Sequence, residues 1–452
     1  MTTRSPLRAH WIDDWKPEDE GFWARTGATV ANRNLWFSVF SEHIGFSIWT
    51  MWSVLVLFMG PEYGFDAAAK FLLVSTPTLV GAILRLPYTF AVARFGGRNW
   101  TIVSALLLLV PTILSAIVMK PGTPLWVFLL VAAIGGVGGG NFASSMTNIN
   151  SFFPDSRKGW ALGLNAGGGN IGVAAIQLIG LLIIATAGPK APGILFGIYI
   201  PLIIIAALCA ATWMDNLTDV RNDTGAFVEA CKQSQTWVMA FLYIGTFGSF
   251  IGYSFAFGLV LQNQFGRTPL QAAAVTFLGP LVGSLIRPVG GRLADRYGGA
   301  RITLVTFVAM AIALGLIIGA SGAKSLGLFT AGFVLLFALT GIGNGSTYKM
   351  IPAIFRGQAR VAIAEGADEA EQFVRARRLS GAAIGIVGAV GALGGLFINL
   401  AFRQAFLTAK TGDPAYWSFL VFYLVCAVVT FAFYLRPAPV DVPSPRLAYA
   451  GV

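Results

Sequence analysis

Apolar residues gather into long runs broken by short polar stretches, a pattern that predicts helices able to cross a bilayer. A spanning helix needs about 20 predominantly apolar residues. Twelve runs have that length, at 34–59, 68–93, 100–119, 124–151, 159–187, 191–215, 236–264, 270–296, 300–320, 325–355, 376–405 and 415–436. Two of the polar stretches are long. Asn216–Gln235 follows the sixth run and divides the chain in half. Arg356–Arg375 follows the tenth, and its Ala, Glu, Asp and Arg content predicts a short surface helix. The expected order is a segment 1–33, a six-helix bundle 34–215, a linker 216–235, a second bundle 236–436 and a tail 437–452.

Composition sharpens this picture. Of the 452 residues, 56% are hydrophobic and 11% charged, where soluble domains carry about 25% charged residues. That excludes a soluble enzyme, a DNA-binding protein and a disordered scaffold. The net charge of +11 calls for no nucleic acid, because the basic residues lie between the apolar runs. Assigned to alternate loops, 21 of the 31 fall on the side of the N-terminus, 7 on the other and 3 within runs. The positive-inside rule then puts both termini in the cytoplasm, with the chain spanning the plasma (inner) membrane. The acidic N-terminal segment, with Asp13, Asp14, Glu18, Asp19 and Glu20, is not expected to be a cleavable leader. Cys209, Cys231 and Cys426 are far apart, and the histidines are His10 and His43. No disulfide framework, metal site or cofactor is expected.

The two halves repeat. Arg85, Arg94 and Gly96-Gly97 match Arg287, Arg296 and Gly298-Gly299 at a constant offset of 202. Gly138, Gly140, Asn141 and Phe152 match Gly341, Gly343, Asn344 and Phe355 at 203. Runs two and eight thus correspond, as do four and ten, which describes parallel six-helix repeats of the kind that rock about a site between them. With the string Gly290-Gly291-Arg292-Leu293-Ala294-Asp295-Arg296-Tyr297-Gly298-Gly299, this resembles the major facilitator superfamily. The resemblance implies an all-α, twelve-helix membrane fold. The corresponding string after run two departs from the pattern, with Ala93 where the acid stands.

Arg85, Arg287 and Lys349 lie within runs, where each would cost roughly 2.5–3.5 kcal/mol if it faced lipid. They are therefore expected to face an interior cavity. Glu42 lies inside run one and Asp295 at a cytoplasmic end, so the interior reads as positive and suited to an anionic substrate. A guanidinium is a flat fork of donors that matches planar oxyanions in bidentate fashion. Two forks, one from each half, would clamp a small flat anion. Lys349 is nearer the cytoplasmic end, where its stem could instead snorkel.

Glycine-rich stretches occupy runs four, five and ten: Gly135–Pro154, Gly163–Gly172 and Gly341–Met350. No strand precedes them and no Gly-Lys-Ser/Thr follows, so they are not phosphate loops. Small residues let helices pack closely and slide, and Asn141, Asn170 and Asn344 add amides at cavity depth. The string from Gly138 to Met146, continued by Ala161 to Asn170, is similar to the first signature of the nitrate/nitrite porter family; Gly341 to Pro352 is similar to the second. The resemblance implies that Arg85 and Arg287 bind the anion. It also implies that Phe142, Tyr243 and Phe247 wall the site, with Asn170 and signature glycines such as Gly167 and Gly345 nearby. The expected partners are nitrate, nitrite and the bilayer, with no obligatory protein partner.

The expected function is secondary transport of nitrate and nitrite by alternating access, with residues 1–215 moving against 236–452. Exchange is favoured over proton symport: an empty return leg would bury two cationic side chains without an anion, and the titratable groups Glu42 and His43 lie on run one. Symport, an anion channel and an anion-sensing receptor are the alternatives.

Overall fold

The computed structural model describes residues 10–220 and 222–436; the expected tail 437–452 lies outside them. Twelve long helices follow one another among the described residues. They are α1 (Ala28–Phe58), α2 (Ala67–Phe95), α3 (Gly97–Val118), α4 (Leu125–Phe152), α5 (Asp155–Ala187) and α6 (Gly193–Trp213). After the linker come α7 (Ser234–Phe265), α8 (Pro269–Tyr297), α9 (Gly299–Gly322), α10 (Leu326–Ala364), α11 (Glu369–Thr408) and α12 (Asp413–Leu435). Eleven are long and apolar enough to cross a membrane. The other is α1, whose apolar stretch is interrupted by Ser38, Ser41, Glu42 and Ser47, all buried against neighbouring helices.

Contacts group the chain into two compact units, Met1–Gly64 with Leu79–Asn222, and Phe65–Thr78 with Asp223–Val452. The first turns of α2 thus belong to the second unit, where Phe71 stacks on Phe402 and Phe406 of α11 at centroid distances of 5.5 and 5.2 Å. The repeat is visible in the backbone. Gly96 and Gly298, 202 residues apart, end α2 and α8 with φ of +87° and +90°, a conformation a side chain disfavours.

In the first unit the segment before α1 is anchored. Strand β1 (Trp11–Ile12) pairs in parallel with β2 (Asn216–Leu217). Asp215 accepts from Arg33 at 2.6 Å and from Asn34 at 2.9 Å. Trp23, Leu35, Phe152, Phe153 and Leu217 form an apolar cluster beneath.

The stretch Arg356–Arg375 departs from expectation. It forms no separate surface helix: α10 continues to Ala364 and α11 begins at Glu369, joined by a tight turn with Gly366 at φ +100°. Its Ala, Arg and Glu residues favour helix, and Asp368 caps α11 by accepting from the Glu371 N–H at 2.8 Å. The same residues that predict a surface helix therefore prolong two spans.

The linker carries a helix, Thr224–Lys232, tied to α11 by Arg375–Glu229 and Arg378–Asp223 pairs. The Arg378 hydrogen bond, helped by the Ala226 N–H, holds the Asp223 carboxyl below its ordinary value of 3.8. A depressed carboxylate stabilises above its unfolded pKa, and that contribution is lost as pH falls through the folded value. Linker docking should therefore be constant between about pH 5 and 8 and loosen only below about pH 4. Limited proteolysis of the linker across that range checks this.

Glycines set the helix spacing where spans touch. A Cβ on Gly290 would collide with the Ile342 backbone, and one on Gly341 with the Gly283 carbonyl. Gly290→Ala or Gly341→Ala should thus cost about 1–3 kcal/mol through overpacking. Gly163→Ala, where a Cβ meets nothing within 4 Å, should be neutral. Thermal unfolding in detergent would distinguish them.

Candidate anion site

In the first unit, α2 places Arg85 in the interior, 1% exposed. Its Nε donates to the Gly139 carbonyl at 3.2 Å, which fixes the guanidinium plane. The guanidinium lies 4.5 Å from the centre of the Phe142 ring and 5.5 Å from that of Trp49. Phe46 meets both rings edge-on, at 5.3 and 6.0 Å. Cation–π attraction is strongest where water is excluded, so these rings help to hold the charge in an apolar setting. The glycines make this possible: a Cβ on Gly139 would strike Trp49 and the Gly81 backbone.

Helix α5 contributes Asn170, 1% exposed, whose amide nitrogen and oxygen both lack a partner among the described residues. Gly167 lies three residues earlier, on the same helix face. It is buried, and a Cβ there would meet nothing within 4 Å. Asn141 of α4 is buried, and its Oδ1 also lacks a partner among the described residues.

Glu42 and His43 face different neighbours. Glu42 accepts from Ser145 and Asn165, both at 2.6 Å. His43 Nδ1 lies 3.2 Å from the Gly168 carbonyl.

In the second unit, Arg287 is buried on α8. Its Nη2 donates to the Tyr243 hydroxyl at 3.3 Å, and its Nη1 has no partner among the described residues. The Tyr243 ring stacks on Phe247 at 5.2 Å with an interplanar angle of 7°. Tyr243 immediately precedes a π-helical turn, Ile244–Gly248, and Phe247 lies within it; such turns are frequent at functional sites. The turn packs on glycines of α11: a Cβ on Gly391 would enter the Tyr243 ring. Asn344 of α10 repeats the state of Asn170, buried with both amide atoms unpartnered among the described residues.

Gly345 has a packing role, since a Cβ there would collide with the Arg287 carbonyl and the Gly290–Gly291 backbone. Lys349 follows the snorkelling alternative. It does not sit in the interior without an acid: its ammonium contacts both Asp295 carboxylate oxygens at 2.8 Å, and its side chain is 41% exposed. Its long stem carries the charge to the carboxylate at the end of α8.

Phe46, Trp49, Tyr348 and Gly391 are not among the site residues expected from the sequence. Tyr348 lays its ring 5.6 Å from the Arg287 guanidinium. It stands inside the second glycine-rich stretch, beside the residue that drew attention for its charge.

Each unit thus buries an arginine on a corresponding helix and an asparagine amide without a partner among the described residues. A sequence model of the Major Facilitator Superfamily matches residues 35–363. The chain belongs to that superfamily. This facilitator is 38% identical to the nitrate/nitrite transporter NarU of Salmonella typhimurium, over 95% of this chain and 97% of that one. It is 37% identical to NarU of Escherichia coli, over 94% and 96%. It is 34% identical to the probable nitrate/nitrite antiporter NarK2 of Thermus thermophilus, over 94% and 97%. Among solved structures, a D-xylose-proton symporter superposes with a TM-score of 0.66 at 16% identity, covering 90% of this chain and 97% of that one. That likeness shows the shared fold alone.

Proposed function

We propose that this multi-pass membrane protein carries nitrate and nitrite across the plasma membrane as an exchanger, with Arg85 and Arg287 binding the anion. The observation that carries the reading is the pair of buried asparagines, Asn170 and Asn344, whose amides lack partners among the described residues. An unsatisfied buried amide costs about 1–3 kcal/mol, so a ligand that accepts its N–H bonds recovers that cost on binding. The donors on offer are guanidinium and amide N–H groups, which suit an oxyanion. Phe142, Tyr243 and Phe247 supply flat apolar walls, which suit an anion with its charge spread over a plane. The names of the relatives support the same substrates.

Exchange follows from charge. Arg287 forms no ion pair among the described residues, and its Nη1 is unpartnered there. Returning empty would keep that cation buried without an anion, which is costly. Nitrate and nitrite carry the same charge, so one can leave as the other enters with no net charge moved. Alternating access of this kind leaves both termini in the cytoplasm, on the side with 21 of the 31 basic residues.

Counterflow tests the proposal. Purified carrier in liposomes loaded with nitrate should take up labelled nitrite in a saturable manner, and loading with sulfate or phosphate should not replace nitrate. Uptake that neither saturates nor responds to the internal anion would support the channel reading instead.

A further inference from the structure

Lys349 stands within a span, yet its ammonium grips both oxygens of Asp295. Its stem runs along α8, since a Cβ on Gly291 would lie 3.8 Å from Lys349 Cε. Gly291 is about one helical turn beyond Arg287 and one before Asp295. The preceding residue on α10, Tyr348, lies against the Arg287 guanidinium, with its ring 5.7 Å from that of Tyr243. One turn earlier, Gly345 brings α10 onto the backbone of Arg287, Gly290 and Gly291. One stretch of α10 therefore covers α8 from Arg287 to Asp295.

The geometry points to Lys349 as a positioning residue: its ion pair with Asp295 sets the register of α10 on α8 and so holds the Tyr348 ring against Arg287. The ammonium is not an anion ligand. Contact between glycine faces is smooth and has few interlocking side chains to fix rotation or sliding. A two-point ion pair beyond the glycines supplies that stop. A half-exposed pair adds little to global stability, so its loss is felt in the site rather than in folding. Arg287 needs such a restraint. Its bond to Tyr243 is long, at 3.3 Å, and its Nη1 has no partner among the described residues.

This inference rests on the reading of Arg287 as an anion-binding residue. Its test is nitrate counterflow by Lys349→Gln, Asp295→Asn and the reversed pair Lys349→Asp/Asp295→Lys. Each single change should raise KM about fivefold with Vmax nearly unchanged, and reversal should restore KM to within about twofold. Tyr348→Ala should raise KM as well, and Lys349→Gln should add nothing in that background. That cycle decides the matter if the reversed pair does not reach the membrane. An unchanged KM in Lys349→Gln would overturn the inference. So would a reversed pair as poor as the single changes, which would mean that the ammonium itself attracts the anion. A lower Vmax at unchanged KM would also overturn it and place the pair in the conformational cycle. Arg287→Lys separates the two levels: normal transport by that variant faults the anion-site reading itself. Lost transport there, with Lys349→Gln unaffected, faults the positioning role alone.

Discussion

Replacing Arg85 or Arg287 by lysine is expected to lower nitrate counterflow about thirty- to hundredfold, although the positive charge is kept. The loss follows from shape. A guanidinium presents parallel donors to a planar oxyanion, whereas an ammonium is a compact point charge. A hydrogen bond to a charged group contributes about 1.5–3 kcal/mol, and losing one within a bidentate pair accounts for the fold-change. Arg85→Lys also loses the bond to the Gly139 carbonyl, because that donor is Nε, and weakens the stacking on Phe142 and Trp49. Arg287→Lys loses the fork held between Tyr243 and Tyr348. Initial rates at matched protein density check both. Near-normal rates in either variant would mean that the arginine acts only as a charge or a brace.

The second large effect runs in opposite directions for stability and binding. Asn170→Leu and Asn344→Leu each replace a buried amide lacking partners among the described residues with an apolar group of the same branched shape. Removing an unsatisfied polar group is neutral or stabilising, so the midpoint of thermal unfolding without anion should hold or rise. The KM for nitrate should rise at least about tenfold, as one charge-assisted hydrogen bond is lost. A structural asparagine would behave differently, with stability falling and KM following only through lost protein. Measuring unfolding with and without nitrate separates the two, because the shift that nitrate confers on the parent protein should vanish in the variants.

Much of the architecture was legible because bilayer solvation leaves a coarse mark: long apolar runs, basic loops on one side and a repeat at constant offset. Gly96 and Gly298 belong to that repeat, and their backbones match as their positions do. The candidate site was less legible, for physical reasons. Run membership marks Lys349 as intramembrane, but the reach of its side chain to Asp295 depends on how α10 packs on α8. The stretch Arg356–Arg375 reads as a connector by polarity, yet polar residues with high helix propensity simply prolong helices past the apolar zone. Trp49 and Tyr348 belong to a chain with 12 tryptophans and 11 tyrosines. Nothing in spacing marks the two that lie on guanidinium groups.

Under exchange, an anion occupies the site on both legs of the cycle. The most direct measurement is nitrate uptake into proteoliposomes under an imposed pH gradient, with internal nitrite or with buffer alone. Rapid uptake is expected with internal nitrite at any gradient, and uptake near the protein-free rate with buffer alone. Rapid accumulation driven by the pH gradient into vesicles without internal anion would contradict exchange and establish proton-coupled entry.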